Sequence, residues 1–197
     1  REYLEHHTVS SSLSMLEDEK EAITKQMQHL QKLQKNVEHR LNTIHSAFSL
    51  PLDEIHLMTL PPRHCHRLSE GYKHEEEMDF LMKQLINLNQ NRLYIIGSNQ
   101  MGTMISLPSL LKKKTLSYQS VFLIDEEGAD LIDGGDYLCV TYRGNYEQSA
   151  YWGQQLAQYA HAHKFKIRGD LLEILWIDIH TTSDESEYIT QLQLPIA

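Results

Sequence analysis

The sequence has 197 residues and a mass of 23.0 kDa, with 41% hydrophobic residues, 23% charged residues and a formal net charge of −9. This is an ordinary globular composition, which excludes a collagenous, low-complexity or wholly disordered chain. No run approaches the ~18–20 uninterrupted apolar residues of a membrane span, and the N-terminus carries no apolar signal-peptide core. Two cysteines are too few for a disulfide scaffold and point to a reducing, cytoplasmic compartment. The net negative charge opposes a nucleic-acid backbone, so this chain by itself is expected to bind DNA poorly. Its first residue is Arg rather than Met, so a longer product is expected in which missing residues complete the function.

The first segment, 1–50, reads as one long helix. No Gly or Pro occurs between Arg1 and Ala47, and Leu, Gln, Lys, Glu and Met dominate. Alternating steps of four and three from Val9 pick out Leu13, Leu16, Lys20, Ile23, Met27, Leu30, Gln34, Val37, Leu41, Ile44 and Phe48, and ten of these twelve positions are apolar. A sustained 3.5-residue repeat needs another helix against its stripe. Forty residues span roughly 60 Å, too long to bury against one small domain, so a second copy of the chain is the expected partner. The alternative is an amphipathic helix folded back on the globular part, although globular helices average only ~10–14 residues. Lys20 and Gln34 would fix register within the seam. Pro51 ends the segment.

Residues 51–197 read as a second domain of α+β class. From residue 52 onward there are 12 Lys and Arg against 20 Asp and Glu, so nearly all the net charge lies here. Residues 54–68 are predicted extended, interrupted by Pro61-Pro62. A helix is predicted over 75–88, with Met78, Leu81, Met82 and Leu85 on one face and three Glu at its start, where the helix dipole favours them. Gly97 and Gly102 bracket a turn. Strands are predicted at 104–107, 121–124, 137–142, 171–179 and 188–194, and a second helix at 148–163, with Trp152, Leu156, Tyr159 and Ala160 inward. The order strand, helix, strand, strand occurs twice. It predicts a duplicated β-α-β-β domain with helices on one face of an antiparallel sheet.

Within Leu171-Leu172-Glu173-Ile174-Leu175-Trp176-Ile177, Glu173 shares a strand face with Leu171 and Leu175. A carboxylate among apolar neighbours loses hydration. It is either paired with a Lys or Arg, as buried carboxylates usually are, or it waits for a cation. Tyrosine outnumbers phenylalanine by 10 to 4, and Tyr137, Tyr142, Tyr146, Tyr151 and Tyr159 cluster around the second predicted helix. Tyrosine offers a ring face that attracts cations, with a hydroxyl beside it. Tyr137 and Tyr159 are read as core residues. Cys65 and Cys139 lie far apart, and His64 and His66 share a face that Cys65 leaves, so no metal site and no cofactor are expected. Lys112, Lys113 and Lys114 read as a solvated loop, and His161 and His163 as a helix end that complements the dipole or meets solvent.

Three segments together resemble the gyrase-inhibitor-like effector-binding domain: Tyr142-Arg143-Gly144-Asn145-Tyr146, Gly169-Asp170-Leu171-Leu172-Glu173, and the stretch from Glu187 through Gln193-Leu194-Pro195-Ile196. The heptad helix before them is similar to the dimerisation helix of MerR-family regulators. Together they resemble a BmrR-type multidrug-responsive regulator without its DNA-binding head. The resemblance implies a winged helix-turn-helix in a missing N-terminal part, through which promoter DNA is bound, and a homodimer through an antiparallel pairing of the long helix. It also implies a small-molecule effector, a lipophilic and often cationic compound, whose binding switches promoter conformation. By this likeness Glu173 matches the pocket carboxylate and Leu175 an apolar wall. Tyr142, Tyr146 and Tyr151 match aromatic positions, and Ile96, near the Gly97 turn, matches a second wall position. No membrane partner and no enzymatic activity are implied. Two other classes remain open: a small-molecule hydrolase with Glu173 as general base beside Tyr142 or Tyr146, and a module that masks a protein partner such as gyrase.

Overall fold

A computed structural model describes residues 8–72, 75–88, 100–112 and 116–197. The chain divides into two compact units, one ending at Glu38 and one running from His39 to Ala197. Helix α1 (Val9–Ala47) has 39 residues. At its start the Thr8 hydroxyl accepts from the Ser11 amide and the Ser11 hydroxyl from the Thr8 amide, each at 3.1 Å, a reciprocal cap of the kind that satisfies orphan helix donors. In the first unit Leu13, Leu16, Ile23, Met27 and Leu30 are all exposed. The polar seam residue Gln34 donates to Glu38 at 2.9 Å.

The last turns of α1 belong to the second unit. Ala47 is buried against Ile177 and Ile189. The Arg40 guanidinium donates to the Thr181 hydroxyl and lies 3.9 Å from the Asp178 carboxylate.

Eight strands form one antiparallel sheet: β1 (His56–Leu60), β2 (Arg63–Leu68), β3 (Met101–Ile105), β4 (Tyr118–Ile124), β5 (Asp130–Ile132), β6 (Gly135–Arg143), β7 (Leu171–Ile177) and β8 (Ile189–Pro195). Their order is β1-β6-β8-β7-β3-β4-β2-β5. The sheet curls into a half-barrel. Arg63 of β2 crosses its concave side and donates to Gln193 of β8 at 2.8 Å, although three strands separate β2 from β8 in the hydrogen-bonded order. Alternation divides the side chains cleanly. Cys65, Phe122, Tyr137, Cys139, Leu172 and Ile174 fill the concave side. The convex side carries the helices. There α4 (Gln148–Ala162) buries Leu156 and Ala160 against Leu138, Val140, Leu171 and Leu192. Also there, α2 (Glu75–Leu88) buries Leu81, Met82 and Leu85 against Met101, Val121 and Leu123. Both helices therefore lie on one face, on opposite sides of the central β3–β7 pair.

Several local expectations are corrected. The strand expected at 104–107 begins earlier, at Met101, and ends at Ile105. Pro108 then starts a short helix, α3 (Leu107–Leu111), whose first amide is held by Asp170 Oδ1 at 2.8 Å. Strand β5 was not foreseen, since its three residues are too short for an alternation signal. Strand β7 stops at Ile177 rather than 179, because the Asp178 carboxylate turns back to accept from the His180 amide and the Thr181 hydroxyl. The arrays β2-α2-β3-β4 and β6-α4-β7-β8 pair their strands in the orders β2-β4-β3 and β6-β8-β7, with β1 and β5 added outside them.

Gly102 marks the tightest approach in the centre of the sheet. A Cβ there would meet the Glu173 carbonyl oxygen and stand 2.5 Å from the Phe122 ring. Gly102→Ala is therefore expected to destabilise the second unit by about 1–3 kcal/mol, as overpacking does. Urea titration checks this through a lowered midpoint at unchanged slope.

Candidate functional site

Glu173 occupies the middle of β7 on the helix-bearing face and is 1% exposed. Register places Thr103 of β3 directly opposite it. The Thr103 hydroxyl donates to Glu173 Oε2 at 2.8 Å, and the Ser149 hydroxyl, from the first turn of α4, donates to Oε1. Ser149 Oγ also pairs with the Tyr142 hydroxyl at 2.6 Å. Thr103, Ser149 and Tyr142 are fully buried. The local sequence explains this approach. Along the inward face of α4 the residues are Ser149, Gly153, Leu156 and Ala160, and the first two are small. A Cβ on Gly153 would stand 2.7 Å from Leu110 and 2.9 Å from Leu171, so α4 lies close enough to the sheet for a short serine side chain to touch a carboxylate.

The row beside Glu173 and Thr103 runs Tyr142, Thr190, Leu175 and Met101 across β6, β8, β7 and β3. Leu175 is buried there as a wall of the same face. Tyr146 stacks on Tyr188 with ring centroids 5.4 Å apart. Its hydroxyl is buried without a hydrogen-bond partner among the described residues, as is the hydroxyl of Thr190. Burial pushes the Tyr146 phenol far above the ordinary tyrosine value, and the charges of Asp178 and Glu173 push it further. The site thus brings two carboxylates, a stacked aromatic pair and the hydroxyls of Thr103, Ser149, Tyr142 and Thr190 into one region, where an incoming positive charge would be stabilised.

Of the residues expected at the site, Glu173, Leu175, Tyr142 and Tyr146 come together. Tyr151 does not join them: it is 58% exposed and meets Trp152 edge to face. Its place in the first turns of α4, one step from the inward stripe, turns it outward. Ile96 lies outside the described residues. Thr103, Ser149, Thr190, Tyr188 and Asp178 were not singled out in the sequence. Small inward residues at 149 and 153 were the available signal for Ser149; Thr103 and Thr190 required the register.

Cys65 and Cys139 enter one cluster on the concave side despite their distance in sequence. Burial raises both thiols, Cys139 to about 12, which disfavours the thiolate that metal binding requires. His66 lies 3.5 Å from Asp125, and His64 meets the Gly128 carbonyl at 3.1 Å. A groove of about 510 Å³ runs between α3 and α4, lined by Leu107, Leu110, Leu111, Ala157 and Phe165 among others, and Glu173 is not part of it. No helix among the described residues is long and apolar enough to cross a membrane.

The raised Cys139 and Tyr146 groups set a pH dependence. The folded chain keeps protons that the unfolded chain releases above the ordinary values of 9.0 and 10.0. Their stabilisation is therefore complete below pH about 9 and falls as pH rises towards about 12. Urea midpoints between pH about 8 and 11 should decline, and the decline should be shallower in Tyr146→Phe.

No protein-family profile and no curated protein matches the sequence. Solved structures match its fold. The fold is similar to the EcmrR C-terminal domain, with a TM-score of 0.56 at 14% identity over 73% of this chain and 97% of that one. The same TM-score and identity relate it to EcmrR in a DNA complex, over 96% of this chain and 77% of that one. SAV2435 bound to tetraphenylphosphonium matches at a TM-score of 0.48 and 15% identity, over 73% of this chain and 94% of that one.

Proposed function

We propose that this chain is the dimerising, ligand-sensing part of a MerR-type transcription regulator of the BmrR-like, multidrug-responsive kind. It binds a lipophilic cation at Glu173 and acts as a binding domain without turnover, in the cytoplasm. The observation that carries this reading is the Glu173 carboxylate, buried at the centre of the sheet between two hydroxyl donors and beside the Tyr146–Tyr188 stack. A charge in such a place carries a desolvation penalty that a complementary guest offsets. The likeness to the EcmrR C-terminal domain, and to EcmrR in its DNA complex along nearly the whole of this chain, supports the pairing of an effector domain with a long helix. The two matching strand orders support reading the effector domain as a repeated β-α-β-β unit.

In this reading the exposed α1 seam pairs with the α1 of a second copy, and a helix-turn-helix head supplies the promoter contact. Glu173 is enclosed, so its guest enters only as neighbouring side chains move. A ligand shifts the regulator towards the state it binds better, by no more than its difference in affinity for the two states.

Tetraphenylphosphonium is a suitable first probe by titration calorimetry. Binding in the micromolar range is expected, weakened at least tenfold in Glu173→Gln, which corresponds to about 1.4 kcal/mol. Equal affinity in the two proteins would remove Glu173 from recognition. Sedimentation equilibrium should show a dimer, and Leu16→Glu combined with Leu30→Glu should yield monomers, since both seam positions would then carry charge.

A further inference from the structure

We propose that the Glu173 site selects cations that bear N–H donors, such as a protonated primary amine or an amidinium on an aromatic body, over fully substituted onium ions, and that Tyr146 and Thr190 are the selecting residues. This inference rests on the ligand-sensing reading of the same site and specifies its ligand class.

Two independent observations carry it. The Thr190 hydroxyl is fully buried and has no hydrogen-bond partner among the described residues. Its strand position puts it on the Glu173 face, between Tyr142 and Leu175 and one row from the carboxylate. The Tyr146 hydroxyl is likewise buried and without a partner, and it stands where the charges of both Glu173 and Asp178 act on it. Buried hydroxyls are normally hydrogen-bonded, and each exception calls for a reason. Of the other hydroxyls here, Thr103 and Ser149 already donate to Glu173, and Tyr142 pairs with Ser149.

A recognition surface for a purely lipophilic onium ion needs a negative charge and ring faces only. Unused hydroxyl oxygens would add nothing to it, because an onium centre wrapped in carbon donates no hydrogen bond. An ammonium group carries three donors and no acceptor. In the proposed complex one N–H meets the carboxylate and the others meet the Tyr146 and Thr190 oxygens, as ordinary N–H···O bonds. The hydroxyl protons remain free to point towards the negative charges of the site. Sites built to hydrogen-bond a guest reject the analogue that lacks the donor, because their buried polar groups then stay unpaired. Hydration opposes this preference: a compact ammonium is more strongly hydrated than its permethylated form and loses more on entering a closed site. Selection for N–H therefore cannot arise from apolar transfer alone.

The test uses a matched pair of probes with the same aromatic body and the same charge, protonated 4-phenylbenzylamine and its N,N,N-trimethylammonium counterpart, on the full chain by titration calorimetry. The expected result is at least tenfold tighter binding of the primary ammonium. Tyr146→Phe and Thr190→Val should each cut that ratio severalfold, chiefly by weakening the primary ammonium, while Thr190→Ser, which keeps the hydroxyl, should preserve it. Equal binding of the two probes by the unaltered chain, or tighter binding of the trimethylated one, overturns the inference without requiring any variant to fold. If tetraphenylphosphonium still binds in a Glu173-dependent way in that event, the sensor reading survives and only the N–H selection falls. If neither probe nor tetraphenylphosphonium binds, both fail together.

Discussion

A carboxylate that is 1% exposed at the centre of a sheet sets the terms for everything packed around it. A buried ionised group without hydrogen bonds is not tolerated, and losing a hydrogen-bond partner inside a protein costs about 1–3 kcal/mol, more for a charged one. Glu173 meets this demand through two hydroxyls from two different elements. Thr103 arrives by strand register and Ser149 by the close approach of α4. The β3–β7 pairing, the small inward face of α4 and the missing side chain at Gly102 are thus parts of one arrangement. A bulkier residue at Gly153 would push α4 off Leu110 and Leu171 and withdraw Ser149 from the carboxylate.

The two faces of the half-barrel divide rigidity and adaptability. On the concave side Phe122 lies over Gly102, and Arg63, Gln193, Gln191 and Thr141 form a hydrogen-bonded chain across the curl, with contacts of 2.7–3.2 Å. In this chain the contact from Arg63 of β2 to Gln193 of β8 joins strands distant in the sheet and bridges the curl. The helix-bearing face has a different character at its centre. There the side chains are tyrosines, threonines and a serine around a charge, and two of the hydroxyls make no hydrogen bond within the described residues. A packed apolar core resists rearrangement because its contacts are many and its volume is fixed. A cluster of hydroxyls around a charge can exchange partners, provided the replacement supplies equal hydrogen bonding.

How much of this was legible beforehand depended on whether the signal was local. The heptad stripe of α1, the alternation in β7 that singled out Glu173, and the helices at Glu75–Leu88 and Gln148–Ala162 are patterns within a single segment, and they appear in the structure at or near their expected bounds. Strand β5 was invisible because three residues cannot establish a period, and α3 was hidden because Leu107-Pro108 follows an apolar strand without a break. Thr103, Thr190 and Tyr188 are ordinary residues in ordinary strands or loops. Only strand register, which local pattern does not encode, places Thr103 and Thr190 on the Glu173 face, and only the stack on Tyr146 brings in Tyr188. Tyr151 shows the opposite error. It is an aromatic residue in the right helix, but 3.6 residues per turn send it to solvent when Ser149 faces inward.

The same strand that holds Glu173 leads directly to the end of the long helix. Five residues further on, Asp178 receives Arg40, and between them Ile177 packs on Ala47 of α1. Asp178 also acts electrostatically on Tyr146, whose ring stacks on Tyr188, one residue before β8 and its own contact with Ala47 through Ile189. The site and the last turns of α1 therefore share two strands and one carboxylate. A rearrangement of Tyr146 would alter the field at Asp178, the group that also holds Arg40. Arg40 keeps partial exposure while Asp178 is buried, and their separation of 3.9 Å is longer than that of a tight bidentate bridge.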